Sequence, residues 1–537
     1  MPKILIIVLL IGLVVGVPIA LRKKQDVVTN PDITLVIISP HNEAIRYEFE
    51  HGFRDWYQKR TGKVVSIDWR APGGTSEIVK YLNAEFANQF RQYWTKALGR
   101  PWSAEIAGAY DNRRIQLPAD LAEDTLEQSA RRTFLDSNIG VGIDLFHGGG
   151  WYDFNVKAQQ GQLVASDIFK THPEWFTEDV IPEKFSGEIL WDSEHRYVGA
   201  VLSSFGIIFN HDELRTAGFK GVPSHWSDLA DPRFYGSVAV ADPTKSGSIT
   251  KAFEMLVQQQ MHELVAAGVL ETEAVPEGWL NGMKLIQQIS ANARYFTDSA
   301  TKPVLDVSAG DCAIGMAIDF YGRFQEGNLG LRGGGERFGF LMPPGGSSIS
   351  ADPIGILRGA PQKEVAEAFI EYTLSPEGQK KWDFKIGTPE GPTQYALRRS
   401  PIRRDLYDAE YAQYRSDPSV QPYEETEGFV YHPKWTGHLF SELRFVVRAA
   451  FIDPGDELRA AWGSILQARS EGRTADADAA LAVLSDLSVI DYEAASTTIA
   501  AALRDNALAR LELLTTLSGH FREQYKHART IAEGGQG

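Results

Sequence analysis

The sequence predicts an α/β fold, and three features carry that reading. Apolar runs of strand length, such as "ITLVII" at 33–38, alternate with stretches whose apolar residues recur at helical spacing. Loops rich in Gly, Ser and Thr repeatedly fall between a strand and a helix. Hydrophobic residues make up 43% of the 537, with 12 Trp, 19 Tyr and 27 Phe. That is enough for a sizeable core, in a chain longer than one ordinary domain uses.

The N-terminus stands apart from this pattern. Ile4 to Leu21, "ILIIVLLIGLVVGVPIAL", is uncharged and mainly apolar, and Arg22, Lys23 and Lys24 follow it. There is no clear small-x-small cleavage site and no cysteine for a lipid anchor. Residues 1–30 therefore read as a membrane anchor or an atypical signal peptide. The basic triplet alone favours a cytoplasmic body.

From residue 33 the alternation begins. "ITLVII" is a buried strand, "SPHNE" a loop, and Ile45, Phe49, Phe53 and Trp56 mark one stripe of a helix. "TGKVVSIDW" supplies a second strand, and "RAPGGTSEIVKYLNAEF" a Gly-rich loop and a second helix. About Ala87 to Asn138 reads as a helical insertion with a polar surface. The α/β pattern resumes at "IGVGIDLFHGGGWYDFNVKAQQGQL". "YVGAVLSSFGIIFN" holds two apolar runs broken at Ser203 and Ser204. A strand, polar loop and helix follow in "GSVAVADPTKSGSITKAFEMLVQQ", and an amphipathic helix is centred on Gly282 to Ala293. "FGFLMPPGGSSISADPIGILRGAPQKEVAEAFIEYTLSPEGQKKW" reads as strand, connection, strand and helix. Residues 400–430 are irregular, and 456–533 are helical and rich in Ala, Leu and Arg, so 401–537 forms a mainly helical C-terminal extension.

Several function classes are disfavoured. A net charge of -16 opposes general nucleic-acid binding, which needs a basic surface to displace counterions. Cys312 is the single cysteine, which leaves no intramolecular disulfide or cysteine-rich metal site, and its apolar setting reads as core. His147-Gly148-Gly149-Gly150 resembles an oxyanion loop of some lipases, but the G-x-S-x-G elbow is missing, which makes a hydrolase the weakest reading. H-E-x-x-H, Walker A and G-x-G-x-x-G are missing as well. Asp298, Asp319, Tyr321 and the histidines could ligate a metal but have no diagnostic spacing. Asp242 and Asp352, each before proline, read as turn formers.

The recurring loops are the candidate site. Ser39-Pro40-His41, Gly73-Gly74-Thr75-Ser76, Lys245-Ser246-Gly247-Ser248 and Thr297-Asp298-Ser299 each link a strand to a helix start. Helix starts carry unpaired N–H groups and the positive end of the peptide dipoles, and neighbouring hydroxyls complete an anion cup. The same residues are also ordinary caps and turns.

In order and spacing, these segments resemble a bacterial ABC-transporter extracellular solute-binding protein, of the cluster that holds ferric-iron, aminoethylphosphonate and sugar-phosphate binders. The resemblance runs through "ISPHNEAIRYEFEHGFRDWYQKRTG", "RAPGGTSEI", "DLFHGGG", "ADPTKSGS", "YFTDSATKPVLDVSAGDCAIGMAIDFYGR" and "PIGILRGAPQKEVAEAFIEYTLSPEGQKKW", about Ile33 to Trp382. It implies a two-lobed, type II-like periplasmic-binding-protein fold over 31–400, with discontinuous lobes and the helical insertion at about 87–138. It implies a non-catalytic protein with no cofactor, placed outside the cytoplasm despite the basic triplet. Its partners would be a small-molecule solute, an ABC permease and, through the N-terminal segment, the membrane. By position, the resemblance assigns ligand contacts to Ser39, His41, Gly74, Thr75, His147, Ser246, Ser248, Thr297, Asp298, Ser299 and Tyr321. Iron-binding relatives supply an adjacent tyrosine pair; here the pair is Phe320-Tyr321, and phenylalanine offers no ligand atom. The hydroxyl-rich loops fit a phosphate- or phosphonate-bearing solute better. Fe(III) as the transported ligand, and a membrane-associated solute sensor or scaffold, are the alternatives.

Overall fold

The computed structural model describes residues 30–120, 124–331, 337–424 and 429–535. Two sheets organise it. The first contains β1 (Ile33–Ile38), β2 (Val65–Arg70), β3 (Leu145–His147), β4 (Leu163–Val164), β7 (Val198–Ser203), β13 (Ser350–Leu357) and β14 (Ser400–Pro401). The second contains β8 (Phe205–Asn210), β9 (Val238–Ala241), β10 (Ala293–Thr297), β11 (Ile314–Ile318) and β12 (Phe338–Leu341), and β5 (Lys184–Phe185) pairs only with β6 (Glu188–Ile189).

In the first sheet β1 lies between β2 and β3 and pairs with both in parallel, while β13 joins β3 and β7 antiparallel. In the second, β9 is parallel to β10 and β11, and β8 is antiparallel to β11 and β12. Each sheet is the core of one lobe. β7 and β8 are buried along their whole length, which is why both read as continuous apolar runs.

The chain crosses between the lobes at Ser204, where β7 of one sheet gives way to β8 of the other, and again between Leu341 and Ser350. The two crossings touch, because the Phe205 N–H donates to Ser347 Oγ at 3.0 Å. The break at "SS" is therefore an interlobe connection rather than a turn within one sheet.

Lobe 1 carries α1 (Glu43–Thr61), α2 (Thr75–Gln92), α3 (Ala104–Ala109), α4 (Leu126–Asp136) and α5 (Trp151–Gln160). The apolar stripe Ile45, Phe49, Phe53 and Trp56 is buried on α1. The region read as an insertion from residue 87 begins inside α2. Phe86, Phe90, Trp94, Tyr110 and Phe134 form a second core that joins it to lobe 1. Lobe 2 carries α6 (Gly247–Ala266), α7 (Glu271–Asn292), α8 (Lys302–Ala309) and α9 (Asp319–Leu331). The amphipathic helix expected near 282–293 starts earlier, at Glu271, and tolerates Pro276 in its second turn.

After α10 (Lys363–Leu374) and α11 (Pro376–Asp383), β14 returns to β7 in lobe 1. The extension then runs to lobe 2. Of its helices, α12 (Phe440–Val447) packs on α6 and α13 (Gly455–Ser470) on α7, while α14 (Thr474–Leu484) and α15 (Ala507–Ala532) pack on α13. Buried polar contacts fix that docking: the Trp279 indole donates to the Ile490 carbonyl at 2.9 Å, Gln287 to the Leu484 carbonyl at 2.8 Å, and Trp462 to Asn292 Oδ1 at 3.0 Å.

The proposed anchor at residues 4–21 lies outside the described residues. Among those described, no helix is long and apolar enough to cross a membrane.

Candidate functional site

A cavity of about 560 Å³ opens between the lobes. Helix starts from both lobes line it, because each of the strands that feed them ends at the cleft. Lobe 1 contributes Asn42, Gly74, Thr75, Gly150 and Trp151; lobe 2 contributes Ser246, Gly247, Ser248 and Thr301. Asn42 and Ser246 cap their helices by accepting from the Ile45 and Ile249 N–H groups. α2 and α5 start with no side-chain cap, which leaves their first N–H groups for an incoming acceptor. α8 is uncapped too, but its Lys302 N–H donates to the Ser299 carbonyl at 3.3 Å and Pro303 has no N–H to offer. Glycine is required at two places here. A Cβ on Gly148, at φ 89°, would sit 2.5 Å from His41 Nε2, and one on Gly149, at φ 122°, would sit 2.7 Å from Thr75 Cγ2.

Of the residues expected to bind, His41, Gly74, Thr75, Ser246, Ser248, Asp298, Ser299 and Tyr321 line this one cavity. Ser39, His147 and Thr297 do not. Ser39 is fully buried and accepts from the His41 N–H at 3.1 Å, so it shapes the loop from behind. Thr297 turns its hydroxyl to the Ser299 carbonyl at 2.8 Å. His147 is fully buried under His41, with ring centroids 4.6 Å apart, and neither ring nitrogen has a partner among the described residues. Burial, with His41 and Arg399 nearby, holds its pKa well below the usual histidine range.

The floor of the cleft holds a charged cluster that motif reading missed. Arg399 Nη2 donates to Asp352 Oδ2 and Ser203 Oγ, both at 2.6 Å, and its guanidinium lies 4.1 Å from the Phe320 ring. Asp352 is thus a half-buried acceptor in β13 rather than the turn former its proline neighbour suggests. Asp242 does form the expected turn, accepting from Thr244. Burial raises the Asp352 pKa, but Arg399 and His41 outweigh it and hold the carboxyl below its ordinary value. His41 is lowered by burial against the opposing pull of Asp352.

A second cluster sits where lobe 2 meets the extension. Lys251 Nζ lies 2.9 Å from Glu188 and 3.0 Å from Glu254, and 3.5 Å from the centroid of the Tyr431 ring. Burial opposes its charge, yet Glu188 and Glu254 raise its pKa overall. Lys251 follows Ser248 by three residues on α6 and so shares its face, the one signal that could have marked it. Lys245 and Asp298 pair at the mouth. Tyr431 and Phe440, from the extension, complete the wall.

The Tyr321 hydroxyl makes no hydrogen bond among the described residues, and burial raises its pKa. Cys312 is core, as expected, and burial pushes its thiol up to about 11. Among the described residues, no group of three or more His, Cys, Asp or Glu side chains is gathered as for a metal ion.

Residues 143–401 match the bacterial extracellular solute-binding protein family. An uncharacterized protein of Haemophilus influenzae is 26% identical over 238 residues, 44% of this chain and 60% of that protein. The phosphoglycerate transport regulatory protein PgtC of Salmonella typhimurium is 25% identical over 183 residues, 34% of this chain and 40% of PgtC. The match therefore spans 60% or less of each of these curated relatives. Among solved structures, fructose-6-phosphate-bound AfuA of Actinobacillus pleuropneumoniae aligns at 15% identity and a TM-score of 0.44, over 74% of this chain and 99% of AfuA. The apo ferric ion-binding protein A of Pasteurella haemolytica aligns at 13% and 0.44, over 77% and 96%. The two-lobed architecture rests on the chain's own topology, with its two sheets and the cleft between them. Over residues 143–401 the chain is therefore similar to the bacterial extracellular solute-binding proteins, and its own two sheets with the cleft between them give it a two-lobed α/β architecture.

Proposed function

We propose that the cleft captures a small solute bearing a phosphate or phosphonate group and presents it to an ABC permease. The observation that carries this reading is the convergence of uncapped helix starts with the Thr75 and Ser248 hydroxyls on one cavity. Such a cradle donates hydrogen bonds to an anion without burying a fixed counter-charge against it. The acidic residues on the walls, Asp153 and Asp298 among them, suit a cationic or hydroxylated remainder of the solute. The similar protein PgtC, named as a phosphoglycerate transport regulatory protein, agrees in ligand chemistry.

Ferric iron is the second reading. It is favoured by the Tyr321 hydroxyl, which is unpaired among the described residues and shares the cavity with His41 and Asp352.

A thermal-shift comparison of 3-phosphoglycerate, fructose 6-phosphate, 2-aminoethylphosphonate and Fe(III)-citrate separates the two. Stabilisation by a phosphorylated or phosphonate solute supports the first reading. Stabilisation by Fe(III)-citrate alone, with a new visible absorption band, supports the second.

A further inference from the structure

The C-terminal extension begins on lobe 1, ends on lobe 2 and borders the cleft between them. β14 pairs with β7 of lobe 1. Beyond residue 430 the extension is fastened to lobe 2. Tyr431 Oη and Thr436 Oγ1 both donate to Glu254 Oε1, at 2.9 and 2.7 Å, and the Trp435 indole donates to Glu271 at 2.7 Å. α12 then reaches back across the mouth of the cleft. Tyr152, at the start of α5 in lobe 1, stands 3.1 Å from Ser441 Oγ through its hydroxyl, and its ring lies 5.0 Å from the Phe440 ring.

One turn further along α12, Arg444 is anchored to lobe 2 by its Nε, which donates to Thr250 Oγ1 at 3.0 Å. Its guanidinium stacks on Phe440 at 4.6 Å, and its Nη2 is buried with no partner among the described residues. Asp153, next to Tyr152, lines the cavity from lobe 1, and Arg444 is the strongest charge acting on it. The same helix start therefore meets the extension twice, through a made contact and through facing opposite charges.

We propose that the extension is a third interlobe element, whose Phe440–Ser441 edge clasps Tyr152 and holds the two lobes closed over the solute. The clasp joins residues 289 positions apart, on separate lobes, so it exists only when the cleft is shut. It also makes Phe440 a wall of the cavity, so the solute pocket is complete only with the extension in place. The clasp stands on the two-lobed geometry and goes beyond the choice of solute, and its test needs no ligand.

Lobe separation in the full chain can be read by electron–electron resonance between spin labels at Lys80→Cys and Leu305→Cys, in a Cys312→Ala background. Lys80 and Leu305 are exposed, on α2 and α8 respectively. The ligand-free parent chain should show a substantial short-distance population. Tyr152→Phe removes one hydrogen bond and should cut the closed-to-open ratio roughly fivefold. Phe440→Ala should cut it further, and Ser441→Ala should match Tyr152→Phe. A parent chain that is wholly open without ligand, or variants with the parent's distance distribution, would overturn the clasp. Tyr152→Phe keeps the ring and its packing, so near-ultraviolet circular dichroism identical to the parent's will show that any opening is not unfolding.

Discussion

Replacing Arg399 with Met tests the floor of the cleft. The side chain of Arg399 is fully buried and Asp352 is 16% exposed, so their ion pair is a buried one that touches water on one side. Removing one partner of such a pair costs about 3–5 kcal/mol, because the other is left charged and desolvated. Asp352 keeps His41 at 3.7 Å and some solvent, which places the expected loss near the lower end, at about 3 kcal/mol. The sign of the pH dependence is fixed. In the parent, Asp352 titrates below its unfolded value of about 3.9, so its stabilisation is full above that pH and is lost as pH falls through the folded value. In Arg399→Met, burial acts with less opposition and the carboxyl protonates at higher pH, which relieves the cost. The gap between parent and variant should therefore narrow from pH 7 to pH 4.5, and Asp352→Asn should partly rescue Arg399→Met. Urea unfolding followed by tryptophan fluorescence reads both effects as midpoint shifts. A loss under about 1 kcal/mol, or a gap that stays constant with pH, would refute the argument.

Three further outcomes follow from the same geometry. Thr75→Ala and Ser248→Ala should each weaken solute binding by about tenfold, as expected for one hydrogen bond to a charged acceptor, with melting temperature unchanged; calorimetric titration reads both. Gly187→Ala should destabilise by more than about 2 kcal/mol, because its φ is 79° and the new Cβ would fall 2.0 Å from the Tyr431 carbonyl oxygen; the check is the thermal midpoint, with loss of the extension's protection from protease. His147 is buried with no hydrogen-bond partner among the described residues and its pKa is depressed, so the unfolded chain binds a proton that the folded chain refuses. Stability should fall by up to about 1.4 kcal/mol per pH unit below pH 6.5, and His147→Leu should flatten that limb in denaturant titrations between pH 7.5 and 5.

The elements themselves were legible because burial imposes periodicity. "ITLVII" and "VGAVLS" are buried strands and read as apolar runs, and the α1 stripe recurs at helical spacing. The strand–loop–helix segments announced the helix starts that line the cavity, because capping chemistry and tight turns leave local residue signatures. What lay beyond reach was contact between distant segments. Arg399 is 47 residues from Asp352 and 196 from Ser203, and nothing local distinguishes it from Arg398 beside it. Tyr431 and Phe440 lie outside the segments that resemble the family, yet they complete the wall. Hydroxyls also look alike whichever way they point. Ser39 and Thr297 share the composition of the lining residues, but both turn to the backbone behind the loop.

Isothermal titration of iron-free full chain bears most closely on solute capture, run with 3-phosphoglycerate, fructose 6-phosphate and 2-aminoethylphosphonate, and with Fe(III)-citrate in parallel. Capture of a phosphorylated or phosphonate solute at the helix starts predicts saturable one-to-one binding of at least one of the three, without turnover, weakened in Ser248→Ala. Binding of Fe(III) alone, or heat from all three solutes that Ser248→Ala and Thr75→Ala leave unchanged, would contradict it.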